Sequence, residues 1–170
     1  MGEPRVTGSC LCRAVRFELA GPFLQLAHCH CALCRKHHGS AFASWLVSGP
    51  GTVSMLAGDG HIGRWDSSPG FHRLFCTTCG SVLPTPMAEQ GVVVTPAGDL
   101  DGDLGPVPAH HMFVASKAPW YEITDDLPRH AEYSPEAGLG AVDRPPPPVP
   151  SPGCTGGSCA CGRVAFEYSG

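Results

Sequence analysis

The spacing of three cysteines constrains this chain more than any other feature of its sequence. Cys29, Cys31 and Cys34 follow a CxCxxC pattern. Alternate residues of an extended segment share a face, so Cys29 and Cys31 can point at one ion, and a turn at residues 32–33 can bring Cys34 to it. Zinc takes thiolates in tetrahedral geometry, and three local ligands leave one corner open, as in a catalytic site. A Cys31–Cys34 redox pair and three buried free cysteines are the alternatives.

The composition indicates a globular domain of short strands. The 170 residues fit one domain with an appendage, or one small and one ordinary domain. The 22 glycines and 18 prolines favour turns over long helices. A formal charge of −4 makes the chain a poor candidate for binding nucleic acid or an anionic membrane, since both need clustered Lys and Arg.

Ten cysteines would indicate disulfides in a secreted protein, but the N-terminus argues against secretion. Residues 1–7 hold no apolar signal-peptide segment, and the chain has no run of eighteen apolar residues. We therefore expect a cytoplasmic protein, in which thiols stay reduced or bind metal.

Alternating apolar residues predict most of the secondary structure. Val15, Phe17 and Leu19 share one face of an expected strand. Strands are expected at residues 14–19, 23–28, 41–47, 52–56, 63–65, 71–75 and 91–95, and a helix of one or two turns at residues 35–38. Short strands separated by Gly, Pro or Asp predict a mainly β, antiparallel domain with short helical turns.

A second cysteine pattern indicates a structural metal site. Cys76 and Cys79, followed by Gly80, form a CxxC zinc knuckle in which the glycine relieves backbone crowding. Cys10 and Cys12, a same-face pair on an extended segment, would complete a closed Cys₄ site. A redox pair is one alternative, although no βαβ pattern surrounds it. In the rival grouping, Cys76 and Cys79 complete the CxCxxC site and leave Cys10 and Cys12 free.

Charged residues and histidines beside the CxCxxC cluster give weaker evidence. Arg35 and Lys36 could meet a carboxylate, but we favour a solvated turn, since isolated exposed charges usually have no specific role. His28 and His30 flank the cysteines. We expect them to support the site or lie exposed rather than bind metal, with His30 facing away from Cys29 and Cys31.

The remaining aromatic and histidine residues are expected in structural roles. Trp45, Trp65 and Trp120 are predicted to be core aromatics, with one of them lining a pocket as the alternative. His110 and His111 precede an apolar run and fit the start of a strand better than metal ligation.

Four motifs occur in an order that resembles a known family. They are GSCxC at residues 8–12, CxCxxCRK at 29–36, FCxxCG at 75–80, and VASKAPW at 114–120 followed by Asp126-Leu127-Pro128. The order resembles that of the glutathione-dependent formaldehyde-activating enzymes and their relatives, which include centromere protein V. The resemblance covers roughly residues 7–135 and implies a zinc-stabilised antiparallel β-tent-like domain. Arg13 departs from the family, which often has glycine there.

The resemblance also implies two zinc ions and a reaction. It assigns a structural zinc to Cys10, Cys12, Cys76 and Cys79, and a catalytic zinc to Cys29, Cys31 and Cys34, which are then the catalytic residues. The implied enzyme is a carbon–sulfur lyase that joins glutathione and formaldehyde into S-hydroxymethylglutathione. Its partners are a small thiol and an aldehyde, with no nucleic acid and no membrane.

Three hypotheses about function stay open at this point. The chain is an enzyme of glutathione-linked aldehyde chemistry or a lyase on another thiol adduct, a zinc-stabilised binding module without chemistry, or a metal or redox sensor that uses the open Cys₃ cluster. The acidic balance argues against nucleic acid as a target of the module, and no output domain for a sensor is evident.

The C-terminus repeats the start of the chain. Residues 157–170 match residues 8–21 at a constant offset of 149 positions (157 against 8). We predict a zinc domain at residues 1–140, a Pro-rich linker at 141–153, and at 154–170 the truncated opening strand of a second copy, with a second tandem domain beyond residue 170. The strand is expected to hang loose or pair weakly with a sheet edge, with Cys154, Cys159 and Cys161 open to thiol reagents. Substitution for the first strand of a neighbouring molecule is the alternative.

Overall fold

The computed structural model describes residues 4–68, 70–105, 107–135 and 150–169. Most of the predicted Pro-rich linker, residues 141–149, lies outside these ranges, as does the predicted domain boundary at residue 140. Statements below refer to the described residues.

The chain folds mainly into short antiparallel strands, as its hydrophobic alternation predicts. In chain order they are β1 (Arg5–Ser9), β2 (Arg16–Ala20), β3 (Phe23–Cys29), β4 (Ala43–Ser48), β5 (Val53–Ala57), β6 (Ile62–Ser68), β7 (Phe71–Cys76), β8 (Val82–Leu83), β9 (Thr85–Met87), β10 (Val92–Pro96), β11 (Ala109–Met112), β12 (Cys154–Ser158) and β13 (Ala165–Ser169). One α-helix, α1 (Ala32–His38), follows β3, and four short 3₁₀ turns lie at Asp59–His61, Ala88–Gln90, Ala97–Asp99 and Val114–Ser116. The mainly β fold class is confirmed.

The strands form four sheets. Their orders are β1-β2-β5, β11-β3-β4-β10-β9, β6-β7-β8 and β12-β13. All pairs are antiparallel except β11 with β3, which is parallel and places His111 opposite His28. This parallel pair brings a late segment of the chain beside the strand that leads into the CxCxxC cluster.

The first hairpin supplies much of the core. Val15, Phe17 and Leu19 are fully buried, as their alternation predicts. Phe17 and Leu19 pack with Val6 and Leu46, whereas Val15 packs with Cys10, Cys76 and Leu83. Burial of a large apolar side chain contributes about 1.5–3 kcal/mol. The hairpin therefore anchors both the central sheet and the segment that carries Cys76.

Helix α1 begins and ends at residues suited to those positions. Cys31 is the N-cap, and its Sγ accepts a hydrogen bond from the Cys34 amide at 3.3 Å. Gly39 ends the helix in the left-handed conformation at φ 60°, where a residue without Cβ is not strained. The cap directs the Cys31 sulfur towards Cys34 and thus builds part of the cysteine cluster into the backbone geometry.

Trp120 and the C-terminal repeat differ from what the sequence predicted. Trp120 is 71% exposed, so its predicted core position is wrong, whereas Trp45 is buried. The C-terminal repeat holds two paired strands, β12 and β13, where the sequence predicted one. No described helix is both long and apolar enough to cross a membrane.

Candidate metal centres

Four cysteines meet where the first hairpin touches the end of β7. The Sγ atoms of Cys10, Cys12, Cys76 and Cys79 all lie within 4.8 Å of one another. Cys10 and Cys12 lie in the turn between β1 and β2, not on the extended segment that the sequence predicted. Arg13 adopts the left-handed conformation there at φ 60°, which favours glycine. This is a physical reason for the glycine that the family often has at this position.

The sulfur spacing suits a tetrahedral ion. Four sulfurs bound to zinc at about 2.3 Å lie about 3.8 Å apart in tetrahedral geometry. Cys12 Sγ lies 3.5 Å from Cys10 Sγ and 3.8 Å from Cys76 Sγ. A disulfide would require sulfurs about 2.05 Å apart, and all ten cysteines are free. These four thiols therefore fit zinc rather than a crosslink.

Hydrogen bonds in the CxxC turn stabilise the thiolate of Cys79. The Cys79 Sγ lies 3.3 Å from the Ser81 hydroxyl, and hydrogen bonds from the Ser81 side chain and backbone lower the pKa of the Cys79 thiol to about 5. Gly80 follows at φ 77°, and its amide donates to the Cys76 carbonyl at 2.8 Å. The turn thus holds a ready ligand in its ionised form.

Three further cysteines form a separate, buried cluster. The Sγ atoms of Cys29, Cys31 and Cys34 lie within 4.8 Å of one another, and all three residues are at most 5% exposed. The rival grouping, with Cys76 and Cys79 beside Cys29, is not the arrangement found. Hydrogen bonds from Cys29 to Cys31 and Cys34, together with burial, raise the pKa of the Cys29 thiol well above its usual range. A divalent cation would reverse that preference, because ligating thiols lose their protons.

One cation from β7 lies against this cluster. The Arg73 Nη2 is 4.0 Å from the Cys34 Sγ. The Arg73 Nε is buried and has no hydrogen-bond partner among the residues that the structure describes. Arg73 therefore places positive charge beside the Cys34 thiol, and its buried Nε is an unsatisfied donor.

A cavity of about 390 Å³ opens beside the three-cysteine cluster. Cys29 and Cys34 form part of its wall, together with Trp45, Arg73 and His110. Most of the remaining lining is apolar. Small-molecule sites commonly have volumes of about 300–1,000 Å³. A tryptophan in the wall of a pocket was one alternative from the sequence, and Trp45 takes that place.

A chain of hydrogen-bonded histidines lies beside the strand that leads into the cluster. The His30 Nε2 lies 2.8 Å from the His111 Nδ1, and the His111 Nε2 lies 3.1 Å from both Asp125 carboxylate oxygens. His30 therefore points away from the neighbouring Cys29 and Cys31, as the sequence predicted. Burial first, and then the nearby His111, lower the pKa of His30 to about 4, so its ring is neutral.

The cations at positions 35 and 36 contact protein atoms. The Arg35 Nε donates to the His30 carbonyl at 3.3 Å and its Nη2 donates to the Ser116 carbonyl at 3.4 Å. The Lys36 Nζ donates to the Ser158 carbonyl at 2.8 Å. Arg35 thus links α1 to the segment after β11. The sequence had suggested either a contact with a carboxylate or a solvated turn, and this contact is neither.

Three residues of this region were not predicted from the sequence to take part in the site. Arg73, His111 and Asp125 stand outside every motif, and His111 was assigned only to the start of a strand. Arg73 is 39 positions from Cys34, and His111 is 81 positions from His30. The sequence offers no local signal for such contacts, because they depend on which strands pair.

The chain is similar in sequence to known proteins. Residues 5–116 match the family of the glutathione-dependent formaldehyde-activating enzyme. A Halomonas elongata protein whose name assigns it to the same enzymes is 32% identical over 125 residues, covering 68% of this chain and 79% of that protein. An uncharacterised lyase of Schizosaccharomyces pombe is 31% identical over 80 residues, covering 47% of this chain and 56% of its own length.

A crystal structure of a Rhodobacter sphaeroides protein is also similar, with a TM-score of 0.48 and 23% identity over 61% of this chain and 98% of that one. The length of the family match and the Halomonas relative decide the classification: the chain belongs to the glutathione-dependent formaldehyde-activating enzyme family.

Proposed function

We propose that this protein is a zinc-dependent carbon–sulfur lyase that interconverts glutathione plus formaldehyde and S-hydroxymethylglutathione. The observation that carries the proposal is the position of Cys29 and Cys34 in the wall of a cavity large enough for a small-molecule ligand. A binding module without chemistry has no need for buried thiols that open on such a cavity. The family membership supports the same reaction class.

The two cysteine clusters have different roles in this proposal. Cys10, Cys12, Cys76 and Cys79 would hold a structural zinc, since four protein thiols complete its ligand set. Cys29, Cys31 and Cys34 would hold the catalytic zinc, where three protein ligands would leave a position for substrate. When bound there, zinc supplies Lewis acidity and stabilises a thiolate near neutral pH.

The chain's own residues orient the substrate. Glutathione places its sulfur next to Cys29 and Cys34 and its peptide along the apolar cavity. Arg73, which lines the cavity, meets a glutathione carboxylate and also offsets the negative charge of the thiolates. The glutathione sulfur then forms a bond to the formaldehyde carbon, and the carbonyl π pair moves to oxygen. That oxygen takes up one proton, which balances the one lost from the glutathione thiol.

The proposed domain boundaries follow from the position of the ligand sets and the cavity in the chain. We propose that residues 1–140 form the catalytic domain, since both ligand sets, of four and three cysteines, and the cavity lie before residue 135. Residues 141–153 are proposed as the linker and residues 154–170 as the start of a second copy. The proposed ligands are a small thiol and an aldehyde, and the proposed location is the cytoplasm.

Exchange NMR tests the reaction directly. Zinc-loaded protein is added to an equilibrium mixture of glutathione and ¹³C-formaldehyde, and the rate at which label exchanges between free and thiol-bound pools is measured. We expect faster exchange than in buffer, and loss of the increase in the Cys31→Ser variant. Zinc-loaded, folded protein that leaves the exchange rate unchanged would favour the non-catalytic binding module.

Zinc coordination provides an independent test. X-ray absorption at the zinc edge should show an added sulfur ligand when glutathione binds. Binding should strengthen as pH rises towards the glutathione thiol pKa, because the thiolate is the ligand. Glutathione that binds without altering the absorption spectrum at any pH would place its sulfur away from the metal.

A further inference from the structure

The cavity beside the three-cysteine cluster has one face of the five-stranded sheet as its floor. The residues that line the floor alternate along each strand, and the strand pairing arranges them in rows across the sheet. The first row pairs Met112 with Cys29. The second pairs Ala27 with His110 on one side and with Trp45 on the other. Each further row therefore lies farther from the cysteines.

The end of the cavity opposite the cysteines carries two glutamines. Gln25 precedes Cys29 on β3 by four residues (25 against 29), a distance of about 13 Å along a strand. Gln25 pairs with Val47, and Val47 pairs with Val94, which forms the third row. The 3₁₀ turn that joins β9 to β10 lies beyond that row, and its last residue, Gln90, lines the same cavity.

Gln90 has an unused hydrogen-bond acceptor at this far end. Its Oε1 is buried and has no partner among the residues that the structure describes. Buried polar atoms are nearly always paired with protein, water or a ligand. No acidic residue is among the described residues that line the cavity. A cationic group at this end would therefore meet side-chain amide oxygens rather than carboxylates.

The cysteine end has the opposite character, because a cation lies there. Arg73 lines the cavity, with its Nη2 4.0 Å from the Cys34 Sγ. A matching thiol has a carboxylate close to its sulfur and an amino group at the end of a longer arm. Glutathione has this form, with its glycyl carboxylate on the shorter arm and its ammonium on the γ-glutamyl arm. One residue of extended chain spans at most about 3.6 Å, so a single-residue thiol cannot contact both ends.

We propose that Gln90 determines the thiol specificity of the site by selecting thiols that carry a γ-glutamyl arm. Its Oε1 accepts a hydrogen bond from the γ-glutamyl ammonium, and the side-chain amide of Gln25 donates to the carboxylate on the same carbon. A thiol without the arm leaves Gln90 unpaired. The inference rests on the proposed function, since it places the thiol sulfur at Cys29, Cys31 and Cys34.

Calorimetry with three thiols tests this proposal without relying on turnover. The zinc-loaded full chain is titrated with glutathione, with γ-glutamylcysteine and with cysteinylglycine, which lacks the γ-glutamyl arm. We expect the wild type to bind both γ-glutamyl thiols at least about 10-fold more tightly than cysteinylglycine, because a hydrogen bond to a charged group is lost with the arm.

The matched variants keep the chain length and change one side chain. Gln90→Met should weaken binding of the two γ-glutamyl thiols and leave the Kd of cysteinylglycine unchanged. Gln90→Ala should do the same without placing a new side chain in the cavity, and thermal melts confirm that both variants are folded. Glu89→Gln, at the exposed neighbouring position, should bind all three thiols as the wild type does.

Equal affinities of the wild type for the three thiols would overturn the proposal, as would folded Gln90 variants that weaken all three thiols equally or none of them. Exchange rates with ¹³C-formaldehyde on the same samples separate this result from the catalytic proposal. Faster exchange with unchanged selectivity in the Gln90 variants contradicts only the role of Gln90. Gln90-dependent selectivity without faster exchange contradicts only the catalysis, and a wild type that binds no thiol contradicts both.

Discussion

The His30 Nε2 and the His111 Nδ1 lie 2.8 Å apart in the interior, so one of these two nitrogens must donate to the other. Asp125 is an acceptor, so the His111 Nε2 carries the proton that points at the carboxylate. The His111 Nδ1 is then an acceptor for the His30 Nε2 proton. His30 is neutral because burial lowers its pKa to about 4. The hydrogen bonds run from His30 through His111 to the surface carboxylate of Asp125.

Removal of the Asp125 carboxylate should allow His111 to adopt both neutral tautomers. In Asp125→Ala, the His111 Nε2 proton loses its acceptor, so we expect mixed His111 tautomers and a lower thermal midpoint. Imidazole ¹⁵N NMR well above the usual imidazole pKa of about 6.5, where neutral rings predominate, would measure the tautomers. Asp126→Ala, an exposed neighbour, is the control. Unchanged ¹⁵N shifts in Asp125→Ala would show that the carboxylate does not set the tautomer.

The two cysteine clusters should respond differently to substitution. Cys76→Ser opens the proposed structural site, and we expect severe destabilisation because a closed zinc site contributes folding free energy. Cys31→Ser keeps an N-cap oxygen for the Cys34 amide, so the chain should stay folded but lose exchange activity. Circular dichroism melts with zinc analysis distinguish these outcomes. Unfolding of Cys31→Ser but not Cys76→Ser would reverse the two roles.

Arg73 should govern the affinity for glutathione. Arg73→Gln removes a charge-assisted contact worth about 1.5–3 kcal/mol, which corresponds to an increase in KM of about 10- to 100-fold. Arg64→Gln on the neighbouring strand is the matched control, because Arg64 is exposed and donates to Asp66 at 2.8 Å. Equal KM values for the two variants would exclude Arg73 from the substrate site.

Stability should fall as pH rises towards 7 because of Asp99. Burial, with the nearby Cys79 second, raises the pKa of this carboxyl to about 7 from the usual 3.8. The folded state therefore holds one proton more than the unfolded state between these values, and stability declines across that window and levels off above it. Denaturant unfolding on both sides of pH 7 measures this slope. Asp99→Asn should flatten it, whereas Asp126→Asn should leave it in place.

Two equivalent glycines should tolerate a methyl group differently. A Cβ at Gly8 would lie 2.5 Å from the Phe17 ring and 2.7 Å from the Asp99 carbonyl, and one at Gly157 would lie 2.3 Å from the Phe166 ring. Phe17 is fully buried and cannot move, whereas Phe166 is 57% exposed. We expect Gly8→Ala to cost about 1–3 kcal/mol and Gly157→Ala less than about 0.5 kcal/mol. Denaturant melts of both variants measure the difference, and equal costs would mean that Phe166 is held as firmly as Phe17.

Local patterns in the sequence predicted the strands well. The expected strand at residues 23–28 is β3 (Phe23–Cys29), and the one at 71–75 is β7 (Phe71–Cys76). Alternation works here because side chains of a half-buried strand face the core at every second residue. The edge strand β1 was missed, since its five residues include Gly8 and only Val6 is large and apolar.

The sequence by itself determined which thiols are available and how each motif is spaced, because a CxCxxC or CxxC turn brings its own sulfurs together. It also determined the alternation that buries Val15, Phe17 and Leu19. Only the tertiary structure decided which cysteine pairs meet, that Arg73 lies beside Cys34, and that His111 orients His30. These contacts depend on the pairing of strands far apart in the chain, such as β3 with β11, and no local pattern specifies that pairing. The exposure of Val164, Phe166 and Tyr168 has the same origin, because burial depends on a partner surface and not on the hairpin's own sequence.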